Sequence, residues 1–408
     1  MTLKNTNNLL GIIAFIEDKT NKDIVNSLTV KLPDLSFEVY QGGIKQAVQY
    51  LRSHPSPQIL LVDISKSELA LSDMEELSEA CEPGIEVICV GEKNEVSLFR
   101  NLIDLGVQDY LVKPLTLSLL LKSIQNLPSK VGPDSKESTF TRQGKTIAFV
   151  GAKGGIGTST LAANCGWILA DKERKKISLV DLDLKFGALG QFFDLLYTQR
   201  LTDLLESPER IDEVFVERMF AKYNEHLSII SSVEPLNTQS KIPKESIEKL
   251  VSLLRKKFHY IIYDFSREFH NPTYAPFLEK INIIAIITDF TIHSLRDTIR
   301  IIEFFNEKNN PHQRIVLIAN KAGEYKQGQL TQEIYQETIK QKIDIVLSFD
   351  AQKPLKALNE GTPVASSNGS LSADLYKLTS LLVEKPIGSS TFKANKKSFF
   401  SGFFTNKS

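Results

Sequence analysis

A glycine-rich segment near the middle of the chain has the residue types of a phosphate-binding loop. Glycines let successive backbone N–H groups point at one anion, and the positive end of a following helix favours the same charge. Ser159 stands where a hydroxyl coordinates Mg²⁺ in such loops. We predict that these residues hold the phosphates of a nucleotide. The segment reads Ala152-Lys153-Gly154-Gly155-Ile156-Gly157-Thr158-Ser159-Thr160.

The segment departs from the common pattern G-x-x-x-x-G-K-[ST] at two positions. Ala152 replaces the first glycine, and Thr158 stands where the phosphate-contacting lysine belongs. The lysine comes early instead, as Lys153. A lysine at this position cannot easily curl back onto its own nucleotide, but it can reach across a two-fold interface to the nucleotide of a partner.

Polar residues follow three later strand candidates of the same part of the chain. Asp181 and Asp183 come directly after Ile177-Ser178-Leu179-Val180, and Asp264 ends the run Tyr260-Ile261-Ile262-Tyr263. Asn320 follows another apolar run. An acid at the end of a buried strand is common in structural settings, so the order of the whole set carries the prediction.

In this order the motifs resemble the deviant Walker ATPases, the MinD and ParA superfamily. The resemblance implies ATP and Mg²⁺ as cofactors, and an early lysine that completes the partner's site in an ATP-bound homodimer. It implies that Asp183, or as second choice Asp181, orients the attacking water. It also implies that Ser159 and Asp264 lie near the metal, and that Asn320 contacts the adenine.

The missing lysine at Thr158 bears on catalysis more than on binding. Without this lysine, no positive charge stabilises the negative charge that develops in phosphoryl transfer. The activation free energy of hydrolysis is therefore higher. The backbone cradle, Ser159, the metal and the partner's Lys153 would still hold ATP. We therefore predict an ATP-dependent dimer that is at most a weak ATPase.

Strand candidates alternate with helical patterns along most of the chain, which predicts an α/β fold with parallel sheets. The first series of strands is Gly11–Ile16, Gln58–Val62, Val87–Val90 and Asp109–Val112. The second is Thr146–Val150, Ile177–Val180, Leu227–Ile230, Tyr260–Tyr263, Ile283–Ile287, Arg314–Ala319 and Ile345–Phe349. The predicted division is a domain over 1–127, a polar linker over 128–144, a nucleotide-binding domain over 145–384 and a tail over 385–408.

Further segments look like the CpaE and TadZ branch of the superfamily, which consists of Tad type IV pilus assembly proteins. Members of this branch carry an N-terminal receiver-like, flavodoxin-like domain, and 9–127 resembles one. The resemblance implies a scaffold or localisation role in pilus assembly, with the N-terminal domain docking on other assembly proteins. The segments are Leu201–Leu205, Leu227–Pro235, Ser294–Asp297, Ser348–Asp350 and Asp109–Pro114.

Three of the four parts of a working receiver pocket are present. Glu17 and Asp18 supply the acidic pair, Asp63 ends the strand that would carry the phosphoryl group, and Lys113 follows the last strand. Gly91 stands where a Ser or Thr hydroxyl belongs. We therefore favour a docking or dimerisation module, with a response regulator controlled at Asp63 as the alternative.

Charge and composition restrict the remaining possibilities. The whole chain has 49 basic and 49 acidic residues, which gives no overall attraction to nucleic acid and disfavours the alternative of ParA-like DNA segregation. Cys81, Cys89 and Cys165 lack metal-site spacing, which indicates a reducing compartment. Neither a signal peptide nor an apolar stretch long enough to span a membrane is visible, so we expect a cytoplasmic protein.

The C-terminal tail combines phenylalanine with lysine. In the run Lys396-Lys397-Ser398-Phe399-Phe400-Ser401-Gly402-Phe403-Phe404, the aromatic residues fall on one face of a helix. Such a face could contact the inner surface of the plasma membrane or a cell pole, as the amphipathic C-terminus of MinD-type proteins does. A disordered end and a partner-binding peptide are the alternatives, since Gly402 weakens a helix and the segment is short.

Overall fold

The computed structural model describes residues 11–33, 35–126, 143–195, 201–231, 233–237, 242–308, 310–311, 313–325, 327–385 and 387. These residues form two α/β units, each built on its own sheet. The predicted linker falls almost wholly outside the described residues, and so does the predicted tail beyond Ile387.

The N-terminal sheet is parallel throughout and has the strand order β2-β1-β3-β4-β5, the order of flavodoxin-like folds. Its strands are β1 Gly11–Ile16, β2 Ser36–Gln41, β3 Ile59–Asp63, β4 Glu86–Gly91 and β5 Asp109–Val112. Its helices are α1 Lys19–Asn26, α2 Leu28–Lys31, α3 Ile44–Leu51, α4 Ala70–Ala80, α5 Val96–Asp104 and α6 Leu117–Gln125. Alternate residues of β1 and β3 enter separate cores on the two faces, which is why these strands are apolar along their whole length.

The C-terminal sheet has the order β13-β12-β11-β6-β10-β7-β9-β8, and only β8 runs antiparallel to its neighbour. Its strands are β6 Lys145–Gly151, β7 Ile177–Asp181, β8 Ala221–Lys222, β9 Leu227–Ile230, β10 Tyr260–Asp264, β11 Ile283–Thr288, β12 Arg314–Ala322 and β13 Ile345–Ser348. Its helices are α7 Thr158–Asp171, α8 Leu201–Leu205, α9 Glu213–Met219, α10 Lys244–Lys257, α11 Ala275–Glu279, α12 Ile292–Glu307, α13 Gln332–Ile339, α14 Lys353–Asn359 and α15 Ser370–Val383.

The core of this larger unit lies on both faces of the sheet. Helix α7 is buried from Leu161 to Ala170 because it is packed between the sheet and α15. Strands β6, β10 and β7 are neighbours, so their C-terminal ends and the loops that follow them meet at one edge of the sheet. That edge holds the phosphate loop and the carboxylates predicted to accompany it.

The predicted fold class is confirmed: both units are α/β, with one parallel and one mostly parallel sheet. Two strands were not predicted. Strand β2 lies at a sheet edge and alternates between exposed and partly buried residues, so it lacks a continuous apolar run. Strand β8 has only two residues, which is too short for any periodicity.

The two units touch at the end opposite the phosphate loop. The Lys175 ammonium donates to the carbonyl oxygen of Glu79 at 2.7 Å, and Lys176 Nζ lies 2.6 Å from Glu82 Oε2. Both lysines precede β7, whereas both glutamates lie near the C-terminal end of α4. Among the described residues, no helix is long and apolar enough to cross a membrane.

Candidate functional site

The phosphate loop joins β6 to α7 with the geometry that anion binding requires. Gly155 and Gly157 have φ of +68° and +99°, a region that residues with a Cβ seldom adopt. The N-cap of α7 is Gly157, which has no side chain, so no side-chain oxygen accepts a hydrogen bond from the first N–H groups of this helix. A Cβ on Gly154 or Gly155 would meet nothing within 4 Å, so this side of the loop is open. The first helical N–H groups therefore face a space that an anion can enter.

Two buried carboxylates lie next to this loop. Asp181 and Asp264 are paired residues at the ends of β7 and β10, with exposed fractions of 0% and 2%. The Ser159 hydroxyl donates to Asp264. Burial raises the pKa of Asp264 well above its ordinary value, and the negative charge of Asp181 raises it further. The predicted Ser159 and Asp264 are thus brought together.

Asp181 is bound to its own loop. One carboxylate oxygen accepts the backbone N–H of Asp183 at 3.1 Å, and the other accepts the N–H of Leu189 at 3.1 Å and the Ser231 hydroxyl at 2.8 Å. Burial raises its pKa to about 6, against the lowering effect of these hydrogen bonds. The carboxylate therefore orders the segment 182–189 and has little capacity left for a ligand.

Asp183 differs from Asp181 in exposure. Its side chain is partly exposed and accepts one backbone hydrogen bond, from Phe186 N at 3.1 Å. Of the two predicted water-orienting aspartates, Asp183 is thus the one whose carboxylate is partly exposed and has acceptor capacity left.

The residues at this edge suit Mg²⁺ held together with phosphate. Two buried carboxylates lie close to each other, and a hydroxyl is directed at one of them. In the described part of the chain, no group of three or more His, Cys, Asp or Glu residues could hold a metal ion by itself. Mg²⁺ commonly keeps part of its water shell and takes its other ligands from one or two side chains and the substrate phosphates.

The early lysine has an intramolecular partner. Lys153 Nζ forms an ion pair with Asp289 Oδ2, and the Asp289 side chain is only 1% exposed. The other oxygen of Asp289 accepts the Thr291 hydroxyl at 2.6 Å and the Thr291 N–H at 3.2 Å. Although burial raises the pKa of Asp289, the contacts with Lys153, Ser294 and Thr291 bring it below the ordinary value.

Asp289 was not predicted as a site residue. It follows the buried strand β11 directly, at the same sheet edge as Asp264. An acid at this position therefore carried the same weak sequence signal as the acid at the end of β10, and no family motif marked it.

Asn320 contacts the phosphate loop itself. Its side-chain amide donates to the carbonyl oxygen of Ile156 at 2.8 Å, and a Cβ on Gly157 would come within 2.6 Å of the same amide nitrogen. The residue is buried at 8% exposure. Asn320 thus supports the loop, and its side-chain oxygen remains the group available to a base.

A cavity of about 440 Å³ opens beside the start of the phosphate loop. Its wall includes Arg267, Arg300 and the buried Asp297, above an apolar floor. Asp297 accepts hydrogen bonds from Arg267 at 3.1 Å and Arg296 at 2.9 Å. The sequence motif contained only Arg296 and Asp297, since Arg267 lies on a different loop.

The four predicted receiver-pocket residues also lie together. Lys113 Nζ is 2.6 Å from Asp63 Oδ2 and 2.8 Å from Asp18 Oδ2, and Glu17 N donates to Asp63 at 3.0 Å. The other oxygen of Asp63 accepts the N–H and hydroxyl of Ser65. Burial raises the pKa of Asp18, but hydrogen bonds from Asn21 and the Lys113 charge bring it down to about 2.

The space in front of Gly91 is filled by the side chain of Tyr110. The Tyr110 hydroxyl lies so close that a Cβ on Gly91 would collide with it. The same hydroxyl donates to the carbonyl oxygen of Lys93 at 2.8 Å, which fixes the loop after β4. A Ser or Thr side chain at position 91 would therefore require Tyr110 to move.

Part of the C-terminal unit matches a known protein family. Residues 144–315 match a family model described as an AAA domain. The septum site-determining protein MinD of Bacillus subtilis (strain 168) is 24% identical over 227 residues, which cover 54% of this chain and 82% of that protein.

Two solved structures are also similar to parts of this chain. A ParA family ATPase from Chlorobium tepidum TLS is 24% identical and covers 58% of this chain and 98% of its own, with a TM-score of 0.53. The pilus assembly protein CpaE from Caulobacter crescentus CB15 is 26% identical over 28% of this chain and 89% of its own, with a TM-score of 0.27. The chain is thus similar to MinD and ParA proteins, as its phosphate-loop motifs predicted.

Proposed function

We propose that this protein binds Mg-ATP and dimerises through the loop face, because the C-terminal unit has the fold of MinD and ParA proteins and a phosphate loop that resembles theirs. The observation that carries the proposal is the position of Lys153. Its ammonium is paired with Asp289, and a Cβ on Gly154 or Gly155 would meet no other atom within 4 Å. A partner's lysine can approach that open side.

In this proposal, different site residues contact the phosphates, the metal, the attacking water and the adenine. The backbone N–H groups of 154–160 bind the phosphates. The Ser159 hydroxyl coordinates Mg²⁺, and Asp264 binds the water shell of the metal. Bound Mg²⁺ supplies positive charge to the phosphate oxygens. Asp183 orients water, and Asp181 holds the loop on which Asp183 lies. The Asn320 oxygen meets the adenine.

Hydrolysis is proposed to be slow because Thr158 supplies no charge to the transferred phosphoryl group. Binding relies on backbone donors, which a side-chain change at 158 leaves in place. The bound dimer would therefore persist, and its formation would act as the signal that other proteins recognise.

Light scattering with and without Mg-ATP tests the dimer. We expect the wild-type mass to double with Mg-ATP and Lys153→Ala to remain monomeric, because the partner's site then lacks its cation. Lys172→Ala is the matched control, since Lys172 lies just beyond the opposite end of α7 and pairs with Asp171. A wild-type protein that stays monomeric at every concentration, or a Lys153→Ala protein that dimerises equally well, contradicts the proposal.

We further propose a scaffold and localisation role in Tad-type pilus assembly, on the basis of the motif resemblance to the CpaE and TadZ branch. In this role the N-terminal unit docks on other assembly proteins at the inner face of the plasma membrane or a cell pole. The Tyr110 hydroxyl fills the space in front of Gly91, and this supports a docking role for the N-terminal unit over a phosphorylation switch.

Deletion of the gene tests the pilus role separately. Loss of surface pili that the wild-type gene restores, and Lys153→Ala does not, is the expected result. Normal pili after deletion would refute the pilus role while leaving the ATP-dependent dimer intact.

A further inference from the structure

The N-terminal unit has a groove beside the Asp63 pocket that the proposed function does not use. It is a cavity of about 420 Å³ between the start of α4 and the loop that leads into α5. Leu69 and Leu71 line one side and Leu98 the other. Leu69 is 70% exposed, and Val96 at the start of α5 is 69% exposed. The exposed Leu69 thus gives the groove an uncovered apolar side chain.

The rim of the groove is acidic. Glu68, Glu92 and Glu95 line it, against the single base Lys93. None of the three glutamates forms an ion pair with a residue that the structure describes. The nearby Lys66 is engaged elsewhere, because its ammonium lies 2.7 Å from Glu17. The groove thus has an excess of negative charge around an apolar floor.

The walls of the groove are held in place. The Tyr110 hydroxyl fixes the carbonyl of Lys93 on one side, and the Ser67 hydroxyl donates to Asp73 of α4 at 2.6 Å on the other. The groove therefore exists before any ligand arrives, which lowers the entropic cost of binding.

We propose that this groove binds the C-terminal tail of the same chain. The tail carries Phe399, Phe400, Phe403 and Phe404 together with five lysines from Lys385 onward, and it contains no Asp or Glu beyond residue 384. Phenylalanine fits an apolar floor, and lysine fits a rim of glutamates. The charge and hydrophobicity of the two surfaces are therefore complementary.

The point where the tail leaves the fold is close to the groove-bearing helix. Lys385 Nζ lies 3.4 Å from Glu173, two residues before Lys175. Lys175 in turn donates to the carbonyl oxygen of Glu79, near the C-terminal end of α4. Since α4 has 11 residues, its N-terminal end at the groove is about 16 Å further on.

The chain between these points is long enough. Nine residue steps lead from Ile387, which is buried in the C-terminal unit, to Lys396, and an extended segment of that length reaches about 30 Å. The aromatic run that follows Lys396 can therefore lie in the groove of its own chain. Association of two chains through this groove is less favourable, because the glutamates of the two rims would face and repel each other.

A fluorescent peptide of residues 392–408 tests the proposal in trans, by anisotropy and without nucleotide. The receptor is the full chain with the four phenylalanines 399, 400, 403 and 404 changed to serine, which leaves every described residue unchanged. We expect the peptide to bind this receptor about tenfold or more tightly than wild type, whose groove its own tail occupies.

Changes in the groove provide the specificity control. Adding Leu69→Ser, or Glu92→Gln with Glu95→Gln, to the same receptor should weaken the peptide about fivefold or more. Glu75→Gln is the matched control, because Glu75 is an exposed residue of α4 outside the groove, and binding should not change.

Two outcomes overturn the proposal. One is a peptide that binds the receptor and wild type equally or binds neither. The other is tail-dependent flotation on phosphatidylglycerol vesicles without peptide binding, which assigns the tail to a membrane. Because the assay contains no ATP, its failure is distinct from failure of the ATP-dependent dimer.

Discussion

At the scale of single residues, position 158 separates binding from catalysis. Thr158 begins α7, immediately after the positive-φ Gly157, so its side chain starts at the mouth of the phosphate cradle. The N–H groups of this turn bind anions whatever side chain they carry. Only the side chain can add a full charge.

Thr158→Lys should therefore speed hydrolysis. A restored ammonium beside the transferred phosphoryl group is expected to raise kcat about 100-fold, because loss of one such group commonly costs that much. Steady-state phosphate release measures it, with Thr158→Ser as a control that keeps the hydroxyl and adds no charge. A Thr158→Lys enzyme no faster than wild type would show that another group already supplies the charge.

At the scale of elements, the loops after β3, β4 and β5 determine what the N-terminal unit can do. Both oxygens of Asp63 are occupied by Lys113, Glu17 and Ser65. Tyr110 fills the position in front of Gly91. These contacts favour a fixed surface for docking over one that changes on phosphorylation.

Incubation with acetyl phosphate and Mg²⁺ should therefore leave Asp63 unlabelled, as intact-mass measurement can determine. Asp63→Asn should instead lower the unfolding temperature, because it removes a carboxylate from the largely buried Lys113. Glu75→Asn, on the exposed side of α4, should have little effect. A stoichiometric gain of one phosphoryl group that Asp63→Asn abolishes would favour the response-regulator alternative.

At the scale of the whole molecule, a histidine lies at the contact between the two units. The His259 ring lies with Nε2 3.2 Å from the Cys81 carbonyl and Nδ1 3.0 Å from the backbone N–H of Lys176. The ring thus donates through Nε2 and accepts through Nδ1, which requires the neutral form. Burial, with the charge of Lys175, lowers the pKa of His259 to about 3.

Stability should depend on pH through this group. The folded pKa lies below the unfolded value of about 6.5, so its contribution is complete above pH 6.5 and declines as pH falls toward 3. The urea midpoint should drop between pH 7 and pH 5, and His259→Gln should reduce that drop. His54→Gln, on the exposed surface, is the control. An unchanged pH dependence in His259→Gln would contradict this role.

The sequence by itself determined the alternation of helices and strands, the phosphate loop and the order of the carboxylates around it. It could do so because continuous apolar runs of β-branched residues require burial on both faces of a parallel sheet, and because glycines at 155 and 157 permit positive φ. Strand β2 lies at the sheet edge and is half exposed, so its sequence has no continuous apolar run from which a strand could be predicted.

Only the tertiary structure decided which charges meet. The partners Lys153 and Asp289 are 136 residues apart in sequence, and Tyr110 fills the position in front of Gly91 from a neighbouring strand. The groove beside Leu69 likewise forms from two loops that follow different strands. Long-range pairings of this kind depend on strand order and packing, which periodicity along one chain does not encode.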